Sequence, residues 1–236
     1  MCRRMRHLKP REIQGCQLAL DASIPSSLYD TTVGGSLVAA NGAVARWEDQ
    51  SGNAMNATQA TGVNQPLRRV AYAGGLDACE FDGSNDKMAY TLTGASAWTL
   101  IAAGKWLNTA QTSYRGILSV GNASGGCMLL MRTATLFVGS YGTADLNSSF
   151  APGSAAMCVG IADENNNTAR FYANAKGAGT TTGSNPIAQA SNQIGGIGGQ
   201  ETNAAFFMAS VYNLALNASV VARAQASAMR KWRING

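Results

Sequence analysis

Short apolar runs recur along nearly the whole chain at intervals of roughly ten residues, each closed by a cluster of Gly, Asn, Ser or Thr. Turn residues at that density leave no room for long helices, so the chain is committed to strands. The pattern predicts strands at Gln17–Asp21, Val44–Trp47, Arg68–Tyr72, Cys79–Phe81, Lys87–Leu92, Trp98–Trp106 and Gly116–Val120. It continues with Met128–Arg132, Leu136–Tyr141, Met157–Ala162, Ala169–Ala173, Gln193–Ile197 and Phe206–Tyr212. This is the rhythm of a two-layer antiparallel sandwich or a barrel. No linker divides the 236 residues, and all-β sandwiches commonly use such a length for one core.

The exception is the C-terminal end. Asn217 can cap a helix running through Trp232, with Val220, Ala224, Ala228 and Trp232 on one stripe beside Val221 and Met229. Arg230, Lys231 and Arg233 fall in the last turn, where cations complement the helix dipole. Such a helix is expected to pack on the sandwich edge, with DNA recognition as the sharper alternative.

The net charge of +5 is accounted for by Arg3, Arg4, Arg6, Lys9 and Arg11, because the remaining thirteen Lys/Arg match the thirteen Asp/Glu. A basic arm over residues 1–12 therefore precedes a neutral body over residues 13–236. No aromatic residue interleaves the arm to stack on bases, so it reads as an anchor for a partner protein rather than for nucleic acid. Cys2, Cys16, Cys79, Cys127 and Cys158 form an odd set without CxxC spacing, and His7 is the only histidine. A zinc site is not expected, and the cysteines are expected to be reduced and packed as small apolar residues. The start carries charge without a following apolar stretch, and nothing approaches a membrane span, so membrane partners are not expected.

Leu18-Ala19-Leu20-Asp21-Ala22-Ser23, Trp47-Glu48-Asp49-Gln50-Ser51-Gly52-Asn53, Ala57-Thr58-Gln59-Ala60 and Phe81-Asp82-Gly83-Ser84-Asn85-Asp86 follow one another in an informative order. Arg170-Phe171-Tyr172-Ala173-Asn174, Ile194-Gly195-Gly196 and Val211-Tyr212-Asn213-Leu214-Ala215-Leu216 extend it. The set resembles the laminin-G-like branch of the concanavalin A-like lectin/glucanase superfamily, over Ile13 to Ile234. The resemblance implies an all-β jelly-roll sandwich with one C-terminal helix, and it departs from the family pattern at Ala19 and Met208. It also implies a setting, since similar jelly rolls occur in phage virion and bacterial surface proteins.

Chemistry is sparse. The ExDxE strand of the superfamily's glucanases is absent, although Glu80 and Asp82 share a strand face as a bare carboxylate pair. His7 alone cannot supply a Ser-His or Cys-His arrangement within the body, and Gly195-Gly196-Ile197-Gly198-Gly199 lacks the Lys and helix of a phosphate loop. Asp82, Asn85 and Asp86 offer hard oxygens in one loop, and the resemblance implies calcium there as the one cofactor to consider. Trp106, Tyr114 and Tyr141 flank Asn- and Ser-rich loops and are the candidate sugar-stacking aromatics.

The reading is a non-enzymatic structural or adhesion protein of a bacteriophage virion, as head decoration or tail component, assembled in the host cytoplasm. Its arm residues would dock on virion proteins or on copies of itself, and its sandwich would display a surface for glycans. The alternative is a carbohydrate-binding module of a bacterial surface or secreted protein, and a glycoside hydrolase stands third.

Overall fold

Along Ala97–Trp106 the side chains of Trp98, Leu100, Ala102 and Trp106 face one way and those of Ile101 and Ala103 the other, and both sets are buried. Ala155–Asp163 behaves likewise, with Ala156, Cys158 and Ala162 on one side and Met157, Val159 and Ile161 on the other. Strands apolar on both faces need a layer above and a layer below. The computed structural model, which describes residues 9–107, 114–121, 126–133, 136–141, 144–149, 154–174, 176–182 and 191–234, supplies both.

An eight-stranded antiparallel sheet runs in the order Lys176–Thr182, Thr168–Ala173, Ala155–Asp163, Ala97–Trp106, Asn203–Tyr212, Leu76–Asp82, Leu67–Ala73. Asn203–Tyr212 divides one edge between two partners, its first half pairing with Leu76–Asp82 and its second with Cys16–Asp21. An eleven-stranded sheet faces it, in the order Ala144–Ser149, Leu136–Tyr141, Cys127–Thr133, Arg115–Val120, Asn192–Ile194, Met88–Tyr90, Ala57–Thr58, Arg46–Trp47, Leu28–Tyr29. Gly196–Ile197 and Gln200–Glu201 form a small hairpin beside it, joined by a parallel bridge from Glu201 to Gly116. Between the sheets lies one core that includes Trp47, Phe81, Trp98, Leu129, Phe171 and Phe206. Burial of this kind is worth roughly 1.5–3 kcal/mol for each large apolar side chain.

The helix covers Ala218–Trp232, and Asn217 caps it by accepting the Val220 amide at 3.0 Å. It does not lie on the sandwich edge. It packs on the outer face of the eight-stranded sheet, where Ile101, Met157, Phe207 and Tyr212 need a cover. Trp232 stacks on Phe207 with centroids 4.8 Å apart and planes 15° apart. The buried residues are Val221, Gln225, Ser227, Ala228 and Trp232; Ala228 and Trp232 of the expected stripe are among them, while Val220 and Ala224 are half-buried. Arg3, Arg4 and Arg6 lie outside the described residues. Pro10–Glu12 folds as a 3-10 turn against the body, with the Tyr212 hydroxyl donating to the Pro10 carbonyl at 3.4 Å.

Candidate functional site

The motif residues divide first into those that brace the scaffold. Asp49 is buried, and its carboxylate accepts hydrogen bonds from the amides of Ala19 (2.8 Å), Ser51 (2.8 Å) and Met55 (3.2 Å) and from the Ser51 hydroxyl (2.6 Å). The Asn53 amide donates to the carbonyls of Cys16 and Gln17. The Trp47–Asn53 stretch thus ties a loop of one sheet to the first strand of the other. Gly83 is required because its φ is +78° and a Cβ there would sit 2.8 Å from Asn203 Cβ.

The Asp82–Asp86 loop is a turn closed on itself. Asp82 Oδ1 accepts the amides of Ser84 (2.7 Å) and Asn85 (3.3 Å), and Asp86 Oδ2 accepts the amide of Asp82 (2.9 Å). Among the described residues no three His, Cys, Asp or Glu side chains converge, and Asp82 and Asp86 are both engaged with main-chain amides of the turn. Glu80 is held by Arg69 at 2.7 Å, and Asp82 Oδ1 is engaged by the Ser84 amide at 2.7 Å. The thiols of Cys79, Cys127 and Cys158 are buried and Cys16 is half-buried, all four free of disulfides. Burial pushes Cys16 and Cys127 up to about 12, which keeps them protonated and unreactive.

Burial also raises the Asp86 carboxyl to about 6, with the nearby charges of Asp82 and Glu80 adding to the rise and the Asp82 amide opposing it. A carboxyl that titrates higher in the fold than in the unfolded chain stabilises fully at low pH and loses that contribution as pH climbs from about 4 through about 6. Asp86→Asn keeps an acceptor for the Asp82 amide and removes the buried charge. We expect it to melt about 2–4 °C higher than the parent at pH 7.5 and level with it at pH 4, for a gain of about 1 kcal/mol. Equal melting at both pH values would show that Asp86 is not strained by its charge.

The three aromatics do not make one platform. Trp106 is 1% exposed and packs edge-on against Phe206 at 5.2 Å, so it is a core residue and offers no face to a sugar. Tyr114 is half-buried against Met128, Leu130 and Ile197. It precedes Arg115, which pairs with Met131, whereas Tyr141 pairs with Cys127 and so lies towards the other end of the same sheet. The Tyr141 side chain lies outside the described residues. Lys9 and Arg11 stand on the rim of a cleft on the opposite face of the molecule.

What the strand order does assemble is a cross-strand row on the outer face of the eleven-stranded sheet. Tyr29 pairs with Arg46, Arg46 with Thr58, Thr58 with Ala89, Ala89 with Gln193, and Gln193 with Ser119. Their neighbours Leu28, Trp47, Ala57, Met88, Ile194 and Leu118 all point into the core, so by alternation this row points out. The Arg46 guanidinium lies 4.0 Å from the Tyr29 ring centroid, a cation–π pair that fixes its direction. Arg46 is only 8% exposed, yet its Nε has no hydrogen-bond partner. A buried donor left unmatched costs roughly 1–3 kcal/mol. Ala89 is exposed and short, and the pairing places it between Thr58 and Gln193. The row thus combines an aromatic-backed cation, a hydroxyl residue and a carboxamide residue on neighbouring strands. Sequence reasoning did not find it, because its members come from strands distant in the chain.

The architecture is a two-layer, jelly-roll-like antiparallel sandwich with one C-terminal helix. No family model matches the chain, and no curated protein matches it. Among solved structures it is similar to Trypanosoma rangeli sialidase in complex with sialic acid, with a TM-score of 0.63 and 14% identity over 95% of this chain. The same sialidase in complex with 2,3-difluoro-KDN gives 0.61, with 15% identity over 95% of this chain. This chain covers 34% of each of those sialidase chains, about a third of their length. A looser overlay joins 61% of this chain to 92% of the CBM40 of Ruminococcus gnavus IT-sialidase bound to α2,3 sialyllactose, with a TM-score of 0.49 and 16% identity. At these identities the likeness is one of fold.

Proposed function

We propose that this chain is a non-catalytic carbohydrate-binding module whose ligand lies across Arg46, Thr58, Ala89 and Gln193. The observation that carries the reading is the cross-strand row itself, with an oriented guanidinium, a hydroxyl and a carboxamide placed around one small residue. Sugar hydroxyls pair with donors and acceptors of that kind, and the cationic Arg46 guanidinium over the Tyr29 ring favours a sugar bearing a carboxylate. The fold shared with sialidase chains, one of them in complex with the acidic sugar sialic acid, supports the same class of ligand. Glu80 and Asp82, each engaged elsewhere, give no support to hydrolysis.

A glycan array tests this. The parent should retain acidic glycans selectively, and Arg46→Gln should lose that selectivity while still melting cooperatively. Equal retention by both would remove Arg46 from the site, and no retention of any glycan by the parent would contradict the reading. The bacteriophage-virion setting, with docking through Arg3, Arg4, Arg6, Lys9 and Arg11 and assembly in a host cytoplasm, is a further proposal carried by the sequence resemblance. Mass spectrometry of purified particles tests it, and a chain found only on or outside bacterial cells would contradict it.

A further inference from the structure

On the face opposite the glycan row, a cleft of about 710 Å³ opens between the second half of the helix, the outer face of the eight-stranded sheet and the Lys9–Ile13 segment. Its floor is apolar, built from Ile101, Met157 and Met208, and Ala228 forms part of the helix wall. Its rim is cationic. Lys9, Arg11, Arg230 and Arg233 are exposed around it, and Asp21, the one acidic residue of the lining, is already taken by Lys231 at 2.5 Å. Within the cleft Ser210 is fully buried and its hydroxyl has no hydrogen-bond partner. The Tyr212 phenol beside it donates to the Pro10 carbonyl at 3.4 Å.

We propose that this cleft binds a small amphipathic anion, with an acyl-like body on the apolar floor and its charged head among the rim cations. The volume falls in the range of small-molecule sites. The charges decide the class, because a neutral apolar ligand would leave four rim cations unused and a cationic one would meet them with like charge. The same argument disfavours the chain's own start as occupant, since residues 1–8 carry Arg3, Arg4 and Arg6 and no acid. The proposal stands independently of the glycan reading, on another face and with other residues.

The test is calorimetric titration of the full chain at low ionic strength with decanoate and decyl phosphate, using decanol and decyltrimethylammonium as neutral and cationic controls. We expect saturable one-to-one binding of at least one anion, about tenfold or more tighter than either control and weakened by added salt. Arg230→Gln combined with Arg233→Gln should weaken the anion about tenfold and leave decanol unchanged, which shows the cleft intact. Arg223→Gln, on the same helix but outside this cleft, should change nothing. Binding that does not distinguish anion from neutral and cationic probes, an equal loss in Arg223→Gln, or no binding of either anion would overturn the proposal.

Discussion

Replacing Asp49 with alanine should lower the stability of the fold by about 3–5 kcal/mol, a fall in melting temperature on the order of 10 °C. The size follows from what the carboxylate does. It accepts four hydrogen bonds, and alanine would leave three main-chain amides without that partner, the Ala19 amide at a buried position. One of them belongs to Ala19, in the middle of the strand that completes the edge of Asn203–Tyr212, so the loss spreads from a loop into the sheet. Asp49→Asn retains one acceptor oxygen and should cost about half as much. Urea unfolding of the two variants measures this, and a loss below about 1 kcal/mol for Asp49→Ala would show that the Trp47–Asn53 loop is held by other means.

Trp232→Ala should be comparably severe, at about 3–5 kcal/mol, because it empties the site under the helix where the indole stacks on Phe207. Trp232→Phe separates packing from polarity. The indole N–H has no hydrogen-bond partner, so phenylalanine forfeits only volume and should cost less than about 2 kcal/mol. Near-ultraviolet circular dichroism of Trp232→Ala should also lose signal as the helix loosens over the outer face. A variant that melts with the parent would mean that the helix contributes little to the fold.

The strands that alternate or run apolar between turn clusters were legible in the sequence, since Ala97–Trp106, Ala155–Asp163 and Asn203–Tyr212 carry a core face that composition alone exposes. Ala144–Ser149 and Lys176–Thr182 were not. Both sit at sheet edges and consist largely of small and polar residues, so no apolar period marks them. The helix and its Asn217 cap were legible for local reasons, but its seat was not. The signal was available in Trp98–Trp106 and Met157–Ala162, whose unbroken apolar runs demand cover on both faces.

The candidate site was the least legible part. Trp106 stands beside a loop, which invites a surface role, yet counting by twos from Trp98 puts it on the inward face. Tyr29, Arg46, Thr58, Ala89 and Gln193 show no motif, because only the pairing register of five strands brings them into line. Asp82-Gly83-Ser84-Asn85-Asp86 suits a turn and a cation loop alike, because the two use the same residue types. Which main-chain amides those carboxylates serve is visible only in the fold.

The central claim is that this sandwich binds glycans on the outer face of its eleven-stranded sheet without cleaving them. Equilibrium titration of one retained glycan into the parent and into Ala89→Trp, with the sugar recovered and analysed afterwards, tests it most directly. Ala89 is exposed on a strand, where tryptophan is favoured, so the variant should fold normally while its indole covers the face between Thr58 and Gln193. The account predicts saturable binding by the parent, intact sugar at the end, and no measurable binding by Ala89→Trp at an unchanged melting temperature. Cleaved sugar, or a variant that binds as the parent does, would contradict it.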